Sequence, residues 1–224
     1  MSISNQIAER IDHIVETFKR GRKAGEDIKD HNILLPVLNS TDKEFRSMAF
    51  EGASMGIALR CLGLDEENRL DEWIRFFQNN TVHSTQILIG LGWALGDRDL
   101  KPAQFISNLD PISKGRVLDG YGYYFGLFRR RLSIRAQQIP EGIEPEMLKA
   151  LDQGLGRSLW YISKGETDRL ERMVNGFSEQ RKPALWRGIG VACTVVGGSS
   201  EAELISILKV SDQYYVQLKA GCIM

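Results

Sequence analysis

Histidine and cysteine are scarce in this chain, three of each in 224 residues, and neither is arranged for metal or thiol chemistry. Cys61, Cys193 and Cys222 are odd in number, widely spaced and set in apolar segments, so they form no disulfide framework or zinc knuckle and read as reduced, buried small hydrophobes. His13, His31 and His83 are far apart, and no HxxxH, HExxH or CxxC spacing occurs, so neither a metal site nor a cofactor is expected. Serine-based catalysis is not expected, because no histidine has an obvious acid partner. Net charge is missing too: 29 basic residues balance 29 acidic ones, which leaves no global field for nucleic acid or an anionic membrane. Nor is there a long apolar run. Residues 85–95 are too short to cross a bilayer, so no membrane span is expected. The first 25 residues alternate Ile3, Ile7, Ile11, Ile14, Val15 and Phe18 with charges at helical spacing, an amphipathic helix rather than a signal peptide, and the expected location is the cytoplasm.

What the chain does have is glycine, 22 residues of it, in a pattern. The segments FEGASMGIAL (50–59), LIGLGWAL (88–95), LDGYGYYFGL (118–127), DQGLGRSLWY (152–161) and WRGIGVACTV (186–195) share an apolar run opened by two close glycines, and a weaker sixth copy covers 218–224. The first glycines, Gly52, Gly90, Gly120, Gly154, Gly188 and Gly221, are separated by 38, 30, 34, 34 and 33 residues, about the length of a helix-turn-helix unit. Between them lie amphipathic second helices: Leu170, Met173, Val174 and Phe177 share one face, as do Leu204, Ile205 and Leu208. Ser200-x-x-Glu203 and Thr41-x-x-Glu44 have the form of capping boxes, Glu144-Pro145 offers proline at a first helical position, and Gly63, Gly96, Gly165 and Gly197-Gly198 suit left-handed helix ends. No two-residue alternation argues for strands. The expected fold is all-α, helix-turn-helix repeats of about 34 residues stacked as an α-solenoid or α/α superhelix, with an amino-terminal helix and connector at 1–45 and a repeat domain at 46–224. A nucleotide-binding loop would need a strand before its glycines. Close helix approach is the simpler reading, because a helical glycine costs about 1 kcal/mol relative to alanine and is kept where backbones must meet.

RSMAFEGASMGIALRCL (46–62), LDPISKGRVLDGYGYYFGLF (109–128) and ALDQGLGRSLWYI (150–162), with HSTQILIGLGWAL (83–95) and PALWRGIGVACTVVGG (183–198), make the chain similar to the DUF1702 proteins, a family of unknown function often encoded in enediyne polyketide gene clusters. The resemblance spans roughly residues 45–224 and implies an accessory or tailoring role in bacterial secondary metabolism, without transferable catalytic residues. In the family pattern a His-Glu pair follows the aspartate-glycine motif; here Tyr124-Phe125 stands there. Family members tend to be longer, which implies a shorter relative or a truncated chain.

Three acids sit in corresponding places just before glycines, Glu51, Asp119 and Asp152, and an acid in an apolar helix must cap, pair or reach a solvated space. They are the candidate catalytic groups, acid or base on a polyene or isoprenoid, as in a cofactor-independent cyclase. Trp93, Tyr121, Tyr123, Tyr124 and Trp160, with Arg157 and His83, are the candidate walls of the site. The plainer alternative is that the acids pair locally, Asp119 with Arg116, or favour helix amino ends, and that the aromatics are core. Arg129, Arg130 and Arg131, with Arg135, form a basic cluster immediately after an aromatic run, either a solvated helix end or a contact for an acyl carrier protein. The two functional expectations are therefore a binder or cyclase for a hydrophobic small molecule, and a scaffold for protein partners. The residues set no oligomeric state.

Overall fold

The computed structural model describes residues 4–63 and 70–223. Ile3 and Met224, placed above in the first helix and last copy, lie outside them. Among the described residues every regular element is helical: α1 (Ser4–Asp27), α2 (His31–Asn39), α3 (Arg46–Cys61), α4 (Asp71–Asn79), α5 (Ser84–Asp97), α6 (Ala103–Ile106), α7 (Pro111–Phe128), α8 (Leu148–Ser163), α9 (Thr167–Asn175), α10 (Lys182–Val196), α11 (Glu201–Ser211) and α12 (Tyr215–Cys222). The chain divides into two compact units, residues 13–121 and residues 1–12 with 122–224.

Helix starts follow local chemistry. Asp30 accepts from the Asn32 amide at α2, Asp110 accepts from the Ile112 and Ser113 amides at α7, and Ser200 with Glu203 forms the expected capping box at α11. Pro145 opens a 3-10 turn leading into α8. The Thr41 box does not form. Thr41 sits five residues before α3, and its carbonyl accepts from Arg46 Nε and Nη2 at 3.2 Å instead. Of the expected left-handed ends, Gly165, Gly197 and Gly198 have φ of +77°, +65° and +76°. Gly96 lies inside α5, where Asp99 (φ +54°) makes the turn, and Gly63 has no positive φ.

In the unit 13–121 the glycine-marked helices meet backbone to backbone. Alanine at Gly90 would place its Cβ 2.4 Å from the Glu51 carbonyl oxygen of α3, and alanine at Gly92 would place it 2.0 Å from the Val117 carbonyl oxygen of α7. Residues i and i+2 point about 200° apart on a helix turning 100° per residue. The two glycines of α5 therefore serve opposite neighbours, and this explains their spacing. Gly120 returns the contact from α7 against Ile89. α1 joins in the same way: Gly21 and Gly25, four apart and on one face, meet Ala49 and Ala53, while Gly52 and Gly56 meet Phe18 and Arg22. The second-glycine position of α3 is Ser54, which accepts from Trp73 Nε1 at 2.8 Å and donates to the Ile87 carbonyl at 2.5 Å.

The other unit repeats the scheme. Gly122 meets Leu151, Gly156 meets Leu185, Gly188 meets Gln153, Gly190 meets Leu218 and Gly221 meets Arg187, linking α7 to α8, α8 to α10 and α10 to α12. The second helices flank these: Leu170 and Val174 of α9 are fully buried and Phe177 nearly so. α11 departs from expectation. Its face of Leu204, Ile205 and Leu208 is turned outward at 43, 44 and 38% exposure, because Ile207 and a Ser206–Thr167 hydroxyl contact hold the opposite side.

Candidate functional site

All three acids are buried, Glu51 and Asp119 at 2% and Asp152 at 1% exposure. They are not in matching positions. Glu51 and Asp119 stand one residue before their glycines and Asp152 two before Gly154, a difference of one residue that rotates its side chain by about 100°. The residue of α8 that corresponds to Glu51 is Gln153, whose carbonyl faces Gly188 as that of Glu51 faces Gly90.

Asp152 points instead to Arg181, the residue that opens α10. Arg181 Nε donates to both carboxylate oxygens at 3.0 Å and Nη2 donates to Oδ1, while Nη1 donates to the Gln137 carbonyl at 3.1 Å. The guanidinium also lies over Phe177, 5.1 Å from the ring centre. Gln137 has φ of +50° and donates its own amide to the Gly176 carbonyl. Burial pushes the Asp152 carboxyl above its ordinary range against the opposing pull of Arg181. The pair thus fastens the connection after α7 to the α9–α10 corner. Sequence reasoning missed Arg181. Its signal was a guanidinium at the positive end of a helix, a placement that demands a nearby anion.

The predicted wall residues divide between the units. In the unit 13–121, Trp93 and Tyr121 are buried, and Trp93 packs on Phe18 at 4.9 Å. His83 precedes α5 in a 3-10 turn, stacked on Phe50 at 3.9 Å and 19°. Burial, then the nearby Arg46, lowers its pKa from 6.5. A histidine held below its unfolded value contributes stability above that value which is lost as pH falls. Urea midpoints are therefore expected to drop more between pH 7.5 and pH 5.5 in the native protein than in His83→Gln; equal drops would contradict this. In the other unit Arg157, 4% exposed, lies over the Tyr123 ring at 4.5 Å, and Tyr123 packs on Tyr161 at 5.4 Å. Tyr124 packs on Phe128 at 4.8 Å, and Trp160 is fully buried, with no hydrogen-bond partner for its indole N–H among the described residues. The structure so joins Arg157 with Tyr123 and Asp152 with Arg181.

After α7 the backbone enters a π-turn at Arg131–Arg135, with Ser133 buried beneath it. Arg129, Arg130, Arg131 and Arg135 are exposed, as are Phe128 (62%), Leu132 (41%) and Ile139 (44%). No acid occurs from residue 120 to 140. Among the described residues no group of three His, Cys, Asp or Glu could hold a metal, and no helix is long and apolar enough to cross a membrane. Burial raises the Cys193 thiol to about 11, so it stays protonated at neutral pH.

These features define an all-helical protein of glycine-locked helices with charges buried in its interior. The chain belongs to the family described as protein of unknown function (DUF1702), which matches residues 2–224. The match extends beyond the span of the resemblance to take in α1 and α2, where Gly21 and Gly25 add a further glycine-marked helix. No curated protein and no solved structure matches the chain.

Proposed function

We propose that this protein is a helical-repeat docking module of a biosynthetic complex in bacterial secondary metabolism, with an acidic acyl carrier protein as the partner of its arginine face. The observation that supports this most is the exposed set Phe128, Arg131, Leu132 and Arg135, which spans the end of α7 and the π-turn that follows it, with no acid from residue 120 to 140. Guanidinium groups pair bidentately with carboxylates and phosphates, and the interleaved apolar side chains add contact area that a purely charged patch lacks. The reading takes the glycine-marked hairpins as repeats of one solenoid, whose surfaces recruit partners. It predicts that Arg131→Glu with Arg135→Glu weakens binding of a phosphopantetheinylated carrier protein by at least tenfold, and that raised salt weakens the native complex. An unchanged affinity in surface plasmon resonance would discard it.

The burial of Glu51 and Asp119 favours a second reading, a binder or cyclase for an apolar polyene or isoprenoid. Backbone-to-backbone contact at Gly90 and Gly92 draws α5 against its neighbours on both sides, which ranks this reading second. Native mass spectrometry of protein from a producing host decides it: a co-purified polyene supports it, and bare protein counts against it.

A further inference from the structure

Four arginines within seven residues, Arg129, Arg130, Arg131 and Arg135, repel one another, and no acid from residue 120 to 140 relieves them. Arg129, Arg131 and Arg135 have no ion-pair partner among the described residues. Left to itself such a segment would extend, since like charges separate. The backbone after α7 is folded up instead. The Ala136 amide donates to the Arg131 carbonyl at 3.1 Å, closing the π-turn, and the Gln138 amide donates to the Leu132 carbonyl at 2.9 Å. Ser133 is fully buried, its hydroxyl donating to the Arg129 carbonyl at 3.1 Å. π-turns are rare in proteins and frequent at functional sites.

This strap, residues 129–138, is held at its far end by Gln137. The residue has φ of +50°, a conformation uncommon outside glycine that surrounding contacts must enforce. Its carbonyl accepts from Arg181 Nη1 at 3.1 Å, and its side-chain amide donates to the Gly176 carbonyl. Both partners belong to one corner, for Gly176 caps α9 and Arg181 opens α10. Arg181 cannot swing away, because its Nε donates to both carboxylate oxygens of Asp152, itself 1% exposed. A buried carboxylate is thereby linked, through Arg181 and then Gln137, to four exposed arginines.

We propose that Gln137 is a positioning residue which, with Arg181, latches the strap into the one shape that presents the arginines together, so that the face is preformed and not ordered by its partner. The inference rests on the docking reading above and deepens it, since a preformed face is spared the ordering cost that a mobile loop incurs on association. The test is Gln137→Asn in the full chain. Asparagine tolerates positive φ but is one methylene too short to reach Gly176. Amide hydrogen exchange over residues 129–139 is expected to be about tenfold faster than in the native protein, with residues 150–162 unchanged. Affinity for the phosphopantetheinylated carrier protein should fall about fivefold. In the Arg131→Glu, Arg135→Glu background the same substitution should lower it no further, because Gln137 acts only through those arginines. Arg181→Lys keeps a cation beside Asp152 but lacks the fork that also reaches Gln137, and it should reproduce the faster exchange. Native exchange over 129–139 in either variant overturns the proposal, as does faster exchange with native carrier affinity. Exchange is read without a partner, so it decides the latch even if the native chain binds no carrier protein, a result that discards the docking reading alone.

Discussion

Gly188→Ala is expected to destabilise the protein by about 3 kcal/mol, although the same exchange in an unencumbered helix stabilises by about 1 kcal/mol. The added methyl would sit 1.9 Å from the Gln153 carbonyl oxygen and 2.9 Å from the Arg157 amide nitrogen. Both atoms belong to the hydrogen-bonded backbone of α8, so relief requires a helix to move rather than a side chain to turn. Since a domain is held by about 5–15 kcal/mol in all, the loss is a large share. Gly176→Ala is the control: its methyl would lie 3.4 Å from the nearest oxygen, at φ −67°, and its urea midpoint is expected to stay close to native. A midpoint for Gly188→Ala at or above native, as helix propensity alone predicts, would show that the close approach is absent.

Arg181→Met is expected to destabilise by about 3–5 kcal/mol, because it leaves the Asp152 carboxylate buried with no cation against it. The loss depends on pH with a definite sign. Burial already raises the Asp152 pKa above its ordinary 3.8, and without Arg181 the opposing pull disappears and it rises further. A carboxyl whose folded pKa exceeds its unfolded one favours the folded state below the unfolded value and loses that advantage as pH rises. The deficit of Arg181→Met against the native protein should therefore narrow toward pH 4 and be largest near neutrality. Adding Asp152→Leu removes the stranded charge, and the double variant is expected to recover most of the loss. Equilibrium unfolding of the four proteins at two pH values separates this from a general packing defect, which would be indifferent to pH and unrescued. A cost below about 1 kcal/mol for Arg181→Met alone would mean that the pair does not hold the corner.

The periodic glycines could be read as close packing because their cause is local and repeated: each helix carries the same gap at the same place. The Ser200 cap was legible for the same reason, donor and acceptor being three residues apart. The pair at Gly21 and Gly25 has the same four-residue spacing as Gly52 and Gly56, but it lies among the charges of an amphipathic segment rather than in an apolar run, which hid it. α11 could be given its apolar face but not the direction of that face, which Ile207 and the Thr167 hydroxyl decide from the other side. Asp152, an acid in an apolar helix, requires an explanation on the sequence alone. The explanation, Arg181, is 29 residues away, and periodicity carries no information about such a pair.

The contact between successive glycine-marked helices joins a main-chain oxygen on one side to a missing side chain on the other. Neither partner has a chemical identity that a neighbour must match. Within each unit the atoms that meet at such a junction belong to the main chain, so an exchange of side chains elsewhere on either helix leaves the junction itself unaltered, whereas any side chain added at the glycine destroys it.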